Sequence, residues 1–319
     1  MDKVIIKDKY KVTNWRDYNK GLEDRYDINI WVDAALSKDW YHLINKAVPL
    51  KKGKPKEYGD SAILFCLSIK YLFKLPYRGC RGFIKSYFKS IALTLKVPCI
   101  SQLCKRSKVL GFDKIIASKK KIIDISIDST GLKVYGEGEW KVRKHGAGKH
   151  RTWMKLHIAT DVETQETVSV MLTTNAIDDA DCVAQLVTQT GQTGRSINSF
   201  RGDGAYDKVK VREHLYHNKI KQIIPPQTNA VKDKKHRDYL KERDDAIDTI
   251  KQTERKEWKK EMGYHKRSLS ETNMFRFKTT FGSNLLSKTA ENQHTEVTIK
   301  CYLLNKHINL AKPKSYKVA

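Results

Sequence analysis

The sequence lacks the features that define several classes of protein. Its six cysteines are scattered, none forms a CxxC pair, and the spacing of zinc ligands is absent. A disulfide framework is not expected in a chain of 319 residues, so a reducing compartment fits best. These absences argue against zinc modules and disulfide-stabilised scaffolds, and we expect most of the cysteines to be small core residues.

Long hydrophobic runs are also absent. The most apolar stretch, Ser61 to Tyr77, is interrupted by Lys70 and Lys74 and is too short to cross a bilayer. The N-terminus does not have the charged and then apolar order of a signal peptide, and we find no internal repeat or low-complexity linker. We therefore expect a cytoplasmic protein without a membrane partner.

Acidic residues are few compared with basic ones. The chain has 36 Asp and Glu against 62 Lys and Arg, which gives a net charge of +26. This charge favours a polyanionic partner, and a solvated basic surface is the alternative. Hydrophobic residues make up 39% of the chain, which is enough for a folded core in one large domain or two ordinary ones.

Helical patterns dominate the first third of the chain. Apolar residues recur at helical spacing, which predicts an all-helical N-terminal domain over residues 1–118. Residues 97–106 predict a turn followed by a small basic helix, which is compatible with a DNA-binding helix-turn-helix. Lys105 and Arg106 would then contact DNA, whereas plain helical packing is the alternative.

From residue 119 the pattern changes to that of an α/β domain. Three strands come first, and the first of them, Ile122 to Ile127, has its apolar residues at alternate positions. The predicted order β-β-β-α-β-α-β-α over residues 119–319 indicates a mixed sheet with flanking helices. A charged insertion around residues 227–262 is either a solvated helix with ion pairs or a segment that contacts DNA.

Three acids on separate predicted elements have the residue types of a divalent-metal site. Asp128 ends the first strand, Asp203 follows a later strand, and Glu271 lies on a late helix. Two-metal phosphodiester chemistry uses oxygen ligands, so these acids in a basic chain indicate metal-dependent chemistry on nucleic acid. Asp124 and Asp207 are competing candidates, and Asp128 or Asp203 could instead be a cap or turn residue.

The acid on the late helix stands beside a phenol and two cations. At about 100° per residue, four residues fall within a sector of about 60° on one helix face: Tyr264, Arg267, Glu271 and Lys278. The two cations would favour the ionised carboxylate and could bind phosphate. The alternative is that Tyr264 and Arg267 pair with surface acids.

The spacing of these four residues resembles the signature Y-x₂-R-x₃-E-x₆-K. That signature marks a branch of the DDE transposases of bacterial insertion sequences, the insertion-sequence-four/five-like branch. The segments 127–131 and 202–207 look like the first and second catalytic motifs of the family. Residues 149–157 are similar to the strand that follows the first acid in the insertion-sequence-five-like subgroup.

The resemblance covers about residues 119–313 and implies a ribonuclease H-like catalytic fold. It implies that three acids hold two Mg²⁺ ions, for which Mn²⁺ can substitute: Asp128, Asp203 and Glu271. By the same comparison, three residues contact transposon-end DNA: Tyr264, Arg267 and Lys278. The implied partner is double-stranded DNA, in the terminal inverted repeats and in the target, bound by a homodimer in the synaptic complex at the bacterial nucleoid.

The sequence therefore predicts a transposase that cleaves DNA at the ends of its element and joins the 3′-hydroxyl ends to target DNA. One alternative is a ribonuclease H-like nuclease that does not join DNA. A second is a domesticated, non-catalytic DNA-binding protein, which the presence of all three acids disfavours, and a helical scaffold that binds RNA through charge is a third. His150 and His157 lack partners at zinc-site spacing and are left out of the metal site.

Overall fold

The structure is a computed structural model, and it describes residues 9–31, 38–41, 57–110, 121–134 and 153–318. The predicted domain boundary at residue 118 falls outside these ranges, so the division into two domains stays a prediction. His150 and the start of segment 149–157 fall outside them too.

The described residues of the N-terminal part are mostly helical, but they also include a strand. Its helices are α1 (Trp15–Asp24), α2 (Asp60–Leu72), α3 (Tyr77–Ser90) and α4 (Ile100–Ser107). Strand β1 (Lys9–Val12) pairs antiparallel with the C-terminal strand β8 (Ser315–Val318). The prediction of a wholly helical N-terminal part is therefore wrong, because the partner of β1 lies at the other end of the chain and leaves no local signal.

The predicted small basic helix is present as α4. However, nine residues connect α3 to α4, whereas a helix-turn-helix uses a turn of about three or four residues. These two helices therefore do not form a helix-turn-helix of the usual geometry.

A mixed sheet follows, whose strands are β2 (Ile122–Val134), β3 (Trp153–Asp161), β4 (Thr167–Thr174), β5 (Ser196–Arg201), β6 (Lys221–Ile223) and the short β7 (Asn284–Leu285). Their order across the sheet is β4-β3-β2-β5-β6, and β7 pairs with β2. Strands β2, β3 and β4 are antiparallel, whereas β5 and β7 run parallel to β2, and β6 runs parallel to β5. Strand β2 extends past its predicted end at Ile127 because it stays paired with β3. This ribonuclease H-like arrangement confirms the predicted fold class.

Successive side chains of β2 point to opposite faces of the sheet, and helices cover both faces. The described helices of this part are α5 (Val183–Gln192), α6 (Val209–His217), α7 (Lys241–Gln252), α8 (Arg255–Glu261), α9 (Ser268–Phe281) and α10 (Ala290–Leu310). Ile123, Ile125 and Ile127 of β2 share a core with α5 and α6. The even-numbered residues of β2 therefore face the opposite side, where α9 packs.

A second hydrophobic core joins the N-terminal helices to α9, α10 and the sheet. It includes Ile69 of α2, Ile84 of α3 and Leu303 of α10, all fully buried. Helix α1 packs closely against the end of α10, where a Cβ atom added to Gly21 would lie 2.3 Å from Cβ of Ala311. Within the described ranges, no helix combines the length and apolar character needed to cross a membrane.

Candidate active site

Asp128 and Asp203 lie at the same level on adjacent parallel strands. Ser126 of β2 pairs with Arg201, the last residue of β5, and each acid follows two residues later in its strand or just beyond it. Neighbouring strands are about 4.8 Å apart. The register therefore brings these two acids to one edge of the parallel part of the sheet.

Hydrogen bonds to β2 hold the helix that carries Glu271. Oγ of Ser126 donates to the carbonyl oxygen of Arg267 at 3.2 Å and lies 3.1 Å from Oγ of Ser270. Ser126 stands two residues before Asp128, on the same face of β2, and Ser270 immediately precedes Glu271. These bonds therefore bring the start of α9, with Glu271, to the two acids of the sheet.

The charges at this edge act on one another. Burial raises the pKa of Asp128 above its ordinary value, and the backbone N–H of Ser129 and the guanidinium of Arg267 oppose this rise. The nearby carboxylates of Glu271 and Asp203 add to it. Mutual repulsion of this kind is relieved when a cation binds between the carboxylates.

Three of the four signature residues lie against one another. Arg267 forms an ion pair with Glu271, and its guanidinium carbon lies 5.8 Å from the centroid of the Tyr264 ring. Lys278 lies two turns further along α9 and is partly exposed. The prediction of one continuous helix is wrong for the first two residues, because Tyr264 to Arg267 form a 3₁₀ turn that Gly263 starts in the left-handed conformation, with φ at 59°.

The three acids have the ligand chemistry of a divalent-metal site, but the carboxylate of Glu271 is paired with Arg267. Its three carboxylates offer only oxygen donors, which Mg²⁺ and Mn²⁺ prefer. In the described part of the chain, no three acids, histidines or cysteines are grouped closely enough to hold an ion as they stand. Ligation by all three acids therefore requires their side chains to come closer together than they lie here.

Asp124, the first competing acid, serves the fold. Its Oδ1 accepts hydrogen bonds from Nδ2 of Asn198 at 2.8 Å and from Oγ of Ser199 at 2.7 Å. A nitrogen of Arg201 lies 3.7 Å from its Oδ2. Burial by itself would raise the pKa of Asp124, but the two hydrogen bonds and the charge of Arg201 lower it. The carboxylate of Asp124 is therefore ionised and already bound by its neighbours, so it is a poor candidate for a metal ligand.

Asp207, the second competing acid, is held in buried ion pairs. Its side chain is 1% exposed, and its Oδ1 lies 2.9 Å from Arg212 and 3.1 Å from Arg243. The backbone N–H of Gln227 donates to its Oδ2 at 3.1 Å. Asp207 thus ties the loop after β5 to α6 and α7.

Asp203 shapes the turn that carries it. Its Oδ1 accepts the N–H of Ala205 at 2.9 Å and so caps a 3₁₀ turn at Gly204–Tyr206. The turn is tight, since a Cβ atom on Gly202 would lie 2.8 Å from the Tyr206 ring. The predicted turn role is therefore observed, and it fixes the position of the acid at the end of β5.

One of the two cations predicted to bind DNA in the N-terminal part is committed to the fold. The guanidinium of Arg106 pairs with Asp60 and donates to the carbonyl oxygen of Tyr58 at 2.8 Å. Its side chain is only 14% exposed. Lys105 is exposed, and its role in DNA binding stays a prediction.

The cations of helix α3 line an open groove, whereas Arg106 is paired within the fold. Arg81, Lys85 and Lys89 recur every four residues, and together with Lys96 they line a groove of about 710 Å³. No acid lines it in the parts of the chain that the structure describes. We call this surface the basic groove.

The predicted charged insertion contains α7 and α8 and many neutralised charges. Arg237 pairs with Asp233 at 2.9 Å, four residues away, and Lys232 pairs with Asp248. Ion pairs of the kind expected in the first alternative are thus present in part of the segment, and contact with DNA stays a prediction.

A fourth acid, Asp179, lies beside the site and was not singled out from the sequence. Its carboxylate accepts hydrogen bonds from Oγ of Ser129 at 2.7 Å and from Nζ of Lys155 at 3.0 Å. The backbone N–H of Ser129 in turn donates to Oδ1 of Asp128 at 2.9 Å. The available signal was the run Asp178 to Asp181, which has three acids in four residues at the start of a predicted helix.

His157 is part of the sheet interior. Its Nε2 lies 2.8 Å from Oγ1 of Thr173, and the side chain is fully buried. Burial lowers its pKa to about 4, so the imidazole is neutral at pH 7. These contacts assign His157 a structural role.

The sequence matches the family described as "Transposase DDE domain" over residues 119–306. A second family model with the same description matches residues 23–137. The chain therefore belongs to the DDE transposase family.

Several solved transposase structures share a distant likeness with this chain. The Drosophila P element transposase strand transfer complex has a TM-score of 0.32 and 11% identity, covering 66% of this chain and 48% of that one. A piggyBac transposase synaptic complex with hairpin DNA has a TM-score of 0.37 and 12% identity, covering 96% and 80%. The Mos1 strand transfer complex has a TM-score of 0.23 and 13% identity, covering 56% and 61%. This chain thus spans about half the length of the P element protein.

Proposed function

We propose that this protein binds the ends of its insertion sequence, cleaves the DNA by metal-dependent phosphodiester hydrolysis and joins the 3′-hydroxyl ends to target DNA. The observation that carries the proposal is that Asp128, Asp203 and Glu271 come from separate elements and lie near one another at one edge of the sheet. Membership of the DDE transposase family supports it. The spacing of Tyr264, Arg267, Glu271 and Lys278 supports the Y-R-E-K branch of that family.

The three acids would hold two Mg²⁺ ions, for which Mn²⁺ can substitute. When bound, such ions activate the attacking oxygen and stabilise the leaving oxygen of a phosphodiester. The chain itself supplies position: the turn after β5 holds Asp203, and Ser126 holds the start of α9 against β2. Preorganised groups of this kind lower the barrier without a covalent intermediate.

The cations beside the acids would grip the DNA near the cleaved phosphate. Arg267 can bind a phosphate bidentately and Lys278 acts as a point charge, with Tyr264 packed against the guanidinium. In the N-terminal part we assign DNA contact to the basic groove in place of Arg106. The partners are double-stranded terminal repeats and target DNA, at the nucleoid of a bacterial cytoplasm, and holding two ends together implies a homodimer.

Cleavage of element-end DNA tests the proposal. Labelled duplexes carrying the sequences that flank the gene are incubated with the full chain and Mg²⁺. We expect nicking or cleavage by the parent and a loss of at least about a thousandfold in Glu271→Gln, with duplex binding retained. Glu257→Gln, which changes an exposed glutamate of α8, is the matched control and should cleave like the parent. Cleavage by Glu271→Gln at the parental rate would show that the ligand assignment is wrong.

Strand joining separates the main proposal from its alternatives. A duplex with a labelled 3′ end and a supercoiled target plasmid report joined products directly. Cleavage without joining would indicate a ribonuclease H-like nuclease, and binding without cleavage would indicate a domesticated DNA-binding protein.

A further inference from the structure

Asp179 connects three elements of the candidate site. It begins a 3₁₀ turn, Asp179–Cys182, after β4. Its Oδ2 accepts the hydroxyl of Ser129 on β2, and its Oδ1 accepts the ammonium of Lys155 on β3. Because the N–H of Ser129 binds Asp128, Asp179 is one residue removed from a predicted metal ligand.

The acids on either side of Asp179 have other tasks. The carboxylate of Asp178 caps the 3₁₀ turn by accepting the N–H of Ala180 at 2.9 Å, and it pairs with Lys208. Asp181 pairs with Lys210 at the surface, where both side chains are 50% exposed. Capping and surface pairing are thus provided by the neighbours, whereas Asp179 points inward to the sheet.

The carboxylate of Asp179 is held in its charged form. Burial by itself would raise its pKa, but the hydrogen bonds from Ser129 and Lys155 lower it below the ordinary value. Hydrogen bonds to a charged acceptor are shorter and stronger than those between neutral groups. The position of Ser129, and of the backbone N–H that reaches Asp128, is therefore well defined.

The turn that follows Asp203 packs against the 3₁₀ turn that begins at Asp179. The two turns, Asp179–Cys182 and Gly204–Tyr206, are in contact. The hydroxyl of Tyr206 is buried, and in the described part of the chain it has no hydrogen-bond partner. Burial, and then the charges of Asp179, Asp128 and Asp203, raise the pKa of this hydroxyl.

We propose that Asp179 is a positioning residue for metal binding: it holds Ser129, and through it Asp128, in the orientation that a metal ion requires. This role rests on the proposed function. Asp179 binds neither substrate nor metal in this account. Partners that orient a metal ligand typically change metal affinity about 10- to 100-fold when they are removed.

Direct metal binding tests this role apart from catalysis. Mn²⁺ affinity of the full chain is measured by calorimetry for the parent, Asp179→Ala, Asp179→Asn and Ser129→Ala, with thermal unfolding recorded for each. We expect both alanine variants to bind Mn²⁺ about 10- to 100-fold more weakly. Asp179→Asn, which keeps an acceptor for Ser129, should recover part of the loss. Asp181→Ala is the matched control and should bind like the parent.

A double variant of Asp179 and Ser129 shows whether the two residues affect Mn²⁺ binding through the same interaction or independently. If Asp179 acts through Ser129, then Ser129→Ala combined with Asp179→Ala should weaken Mn²⁺ binding no more than either change alone. Additive losses, or parental affinity in Asp179→Ala, would overturn the role of Asp179 and leave the proposed function standing. A parent chain that does not bind Mn²⁺ would overturn both. Should Asp179→Ala fail to fold, Ser129→Ala alone still decides between parental and weakened affinity.

Discussion

Two pairs of acids occupy closely related places in this protein and differ in what their carboxylates bind. On β2, Asp124 accepts hydrogen bonds from Asn198 and Ser199, whereas Asp128, four residues later, is partly buried near two other acids. After β5, Asp207 is enclosed by two arginines, whereas Asp203 caps a turn with one oxygen. One member of each pair stabilises the fold, and the other is left beside acids of like charge.

The cations show the same division. Arg106 and three cations of the charged insertion, Lys232, Arg237 and Arg243, pair with nearby acids. The cations of the basic groove have no acid along the groove within the described residues. Like charges four residues apart on a helix repel one another slightly, and a polyanion bound along Arg81, Lys85 and Lys89 would relieve this repulsion. Pairing with acids therefore separates Arg106, Lys232 and Arg237 from the cations of the basic groove.

The largest effect is expected from Asp128→Asn. It removes a predicted ligand without breaking a described ion pair, so DNA cleavage should fall by about ten-thousandfold, or about 5.5 kcal/mol in the barrier. Thermal unfolding should be unchanged or shifted upward, because a carboxyl with a raised pKa is charged at a cost at pH 7. Cleavage assays and calorimetry check both parts. A large drop in unfolding temperature would place Asp128 among the structural acids.

Asp207→Asn, in contrast to Asp128→Asn, should lower the stability of the fold. It leaves Arg212 and Arg243 without their buried counter-charge, which should lower the free energy of unfolding by about 3–5 kcal/mol. Urea unfolding at pH 7 measures this, with Asp203→Asn as the matched variant from the same loop. Equal stability of the two variants would contradict the division between the acids.

Neutralising the basic groove should weaken DNA binding and its salt dependence. In Arg81→Gln, Lys85→Gln and Lys89→Gln combined, the slope of log affinity against log salt should become shallower by about 2.7, which corresponds to three lost phosphate contacts. A control that removes the same charge from exposed lysines of α7 and α8 (Lys241, Lys251 and Lys256, each to Gln) should change the slope by less than about one. An equal change of the slope in the two triple variants would mean that the basic groove binds DNA no better than other basic parts of the surface.

The smallest effect is expected from Asp248→Asn in the charged insertion. Its pair with Lys232 is well exposed, at 40% and 48% of the two side chains. Exposed pairs contribute little to stability, so the urea midpoint of Asp248→Asn should stay close to that of the parent. A loss comparable to that of Asp207→Asn would mean that exposure does not separate the two kinds of ion pair.

Local patterns predicted much of this fold, and long-range pairing accounts for what they missed. The alternating isoleucines of β2 correctly indicated a strand, and they form its apolar face because side-chain direction in a strand has a period of two. The pairing of β1 with β8 and the extension of β2 along β3 depend on partners distant in sequence. The same is true of Asp179, because its hydrogen bonds to Ser129 and Lys155 exist only after folding.

For the site, residue spacing indicated the candidates and the structure separated them. The motif resemblance selected Asp128 over Asp124, and the hydrogen bonds of Asp124 now supply a physical reason. Sequence could not show that Glu271 binds Arg267 in the folded chain, or that Arg106 is held by Asp60. Such contacts depend on side-chain placement, which spacing along a helix does not determine.

Electron paramagnetic resonance of bound Mn²⁺ tests the central claim most directly. The parent, Asp128→Asn and Asp124→Asn are each loaded with Mn²⁺ in the presence of duplex DNA from the ends of the element. Two metal ions shared by Asp128, Asp203 and Glu271 would lie about 3.5–4 Å apart and would be magnetically coupled. The account predicts a coupled pair in the parent and in Asp124→Asn and its loss in Asp128→Asn. A coupled pair that survives in Asp128→Asn and disappears in Asp124→Asn would contradict it.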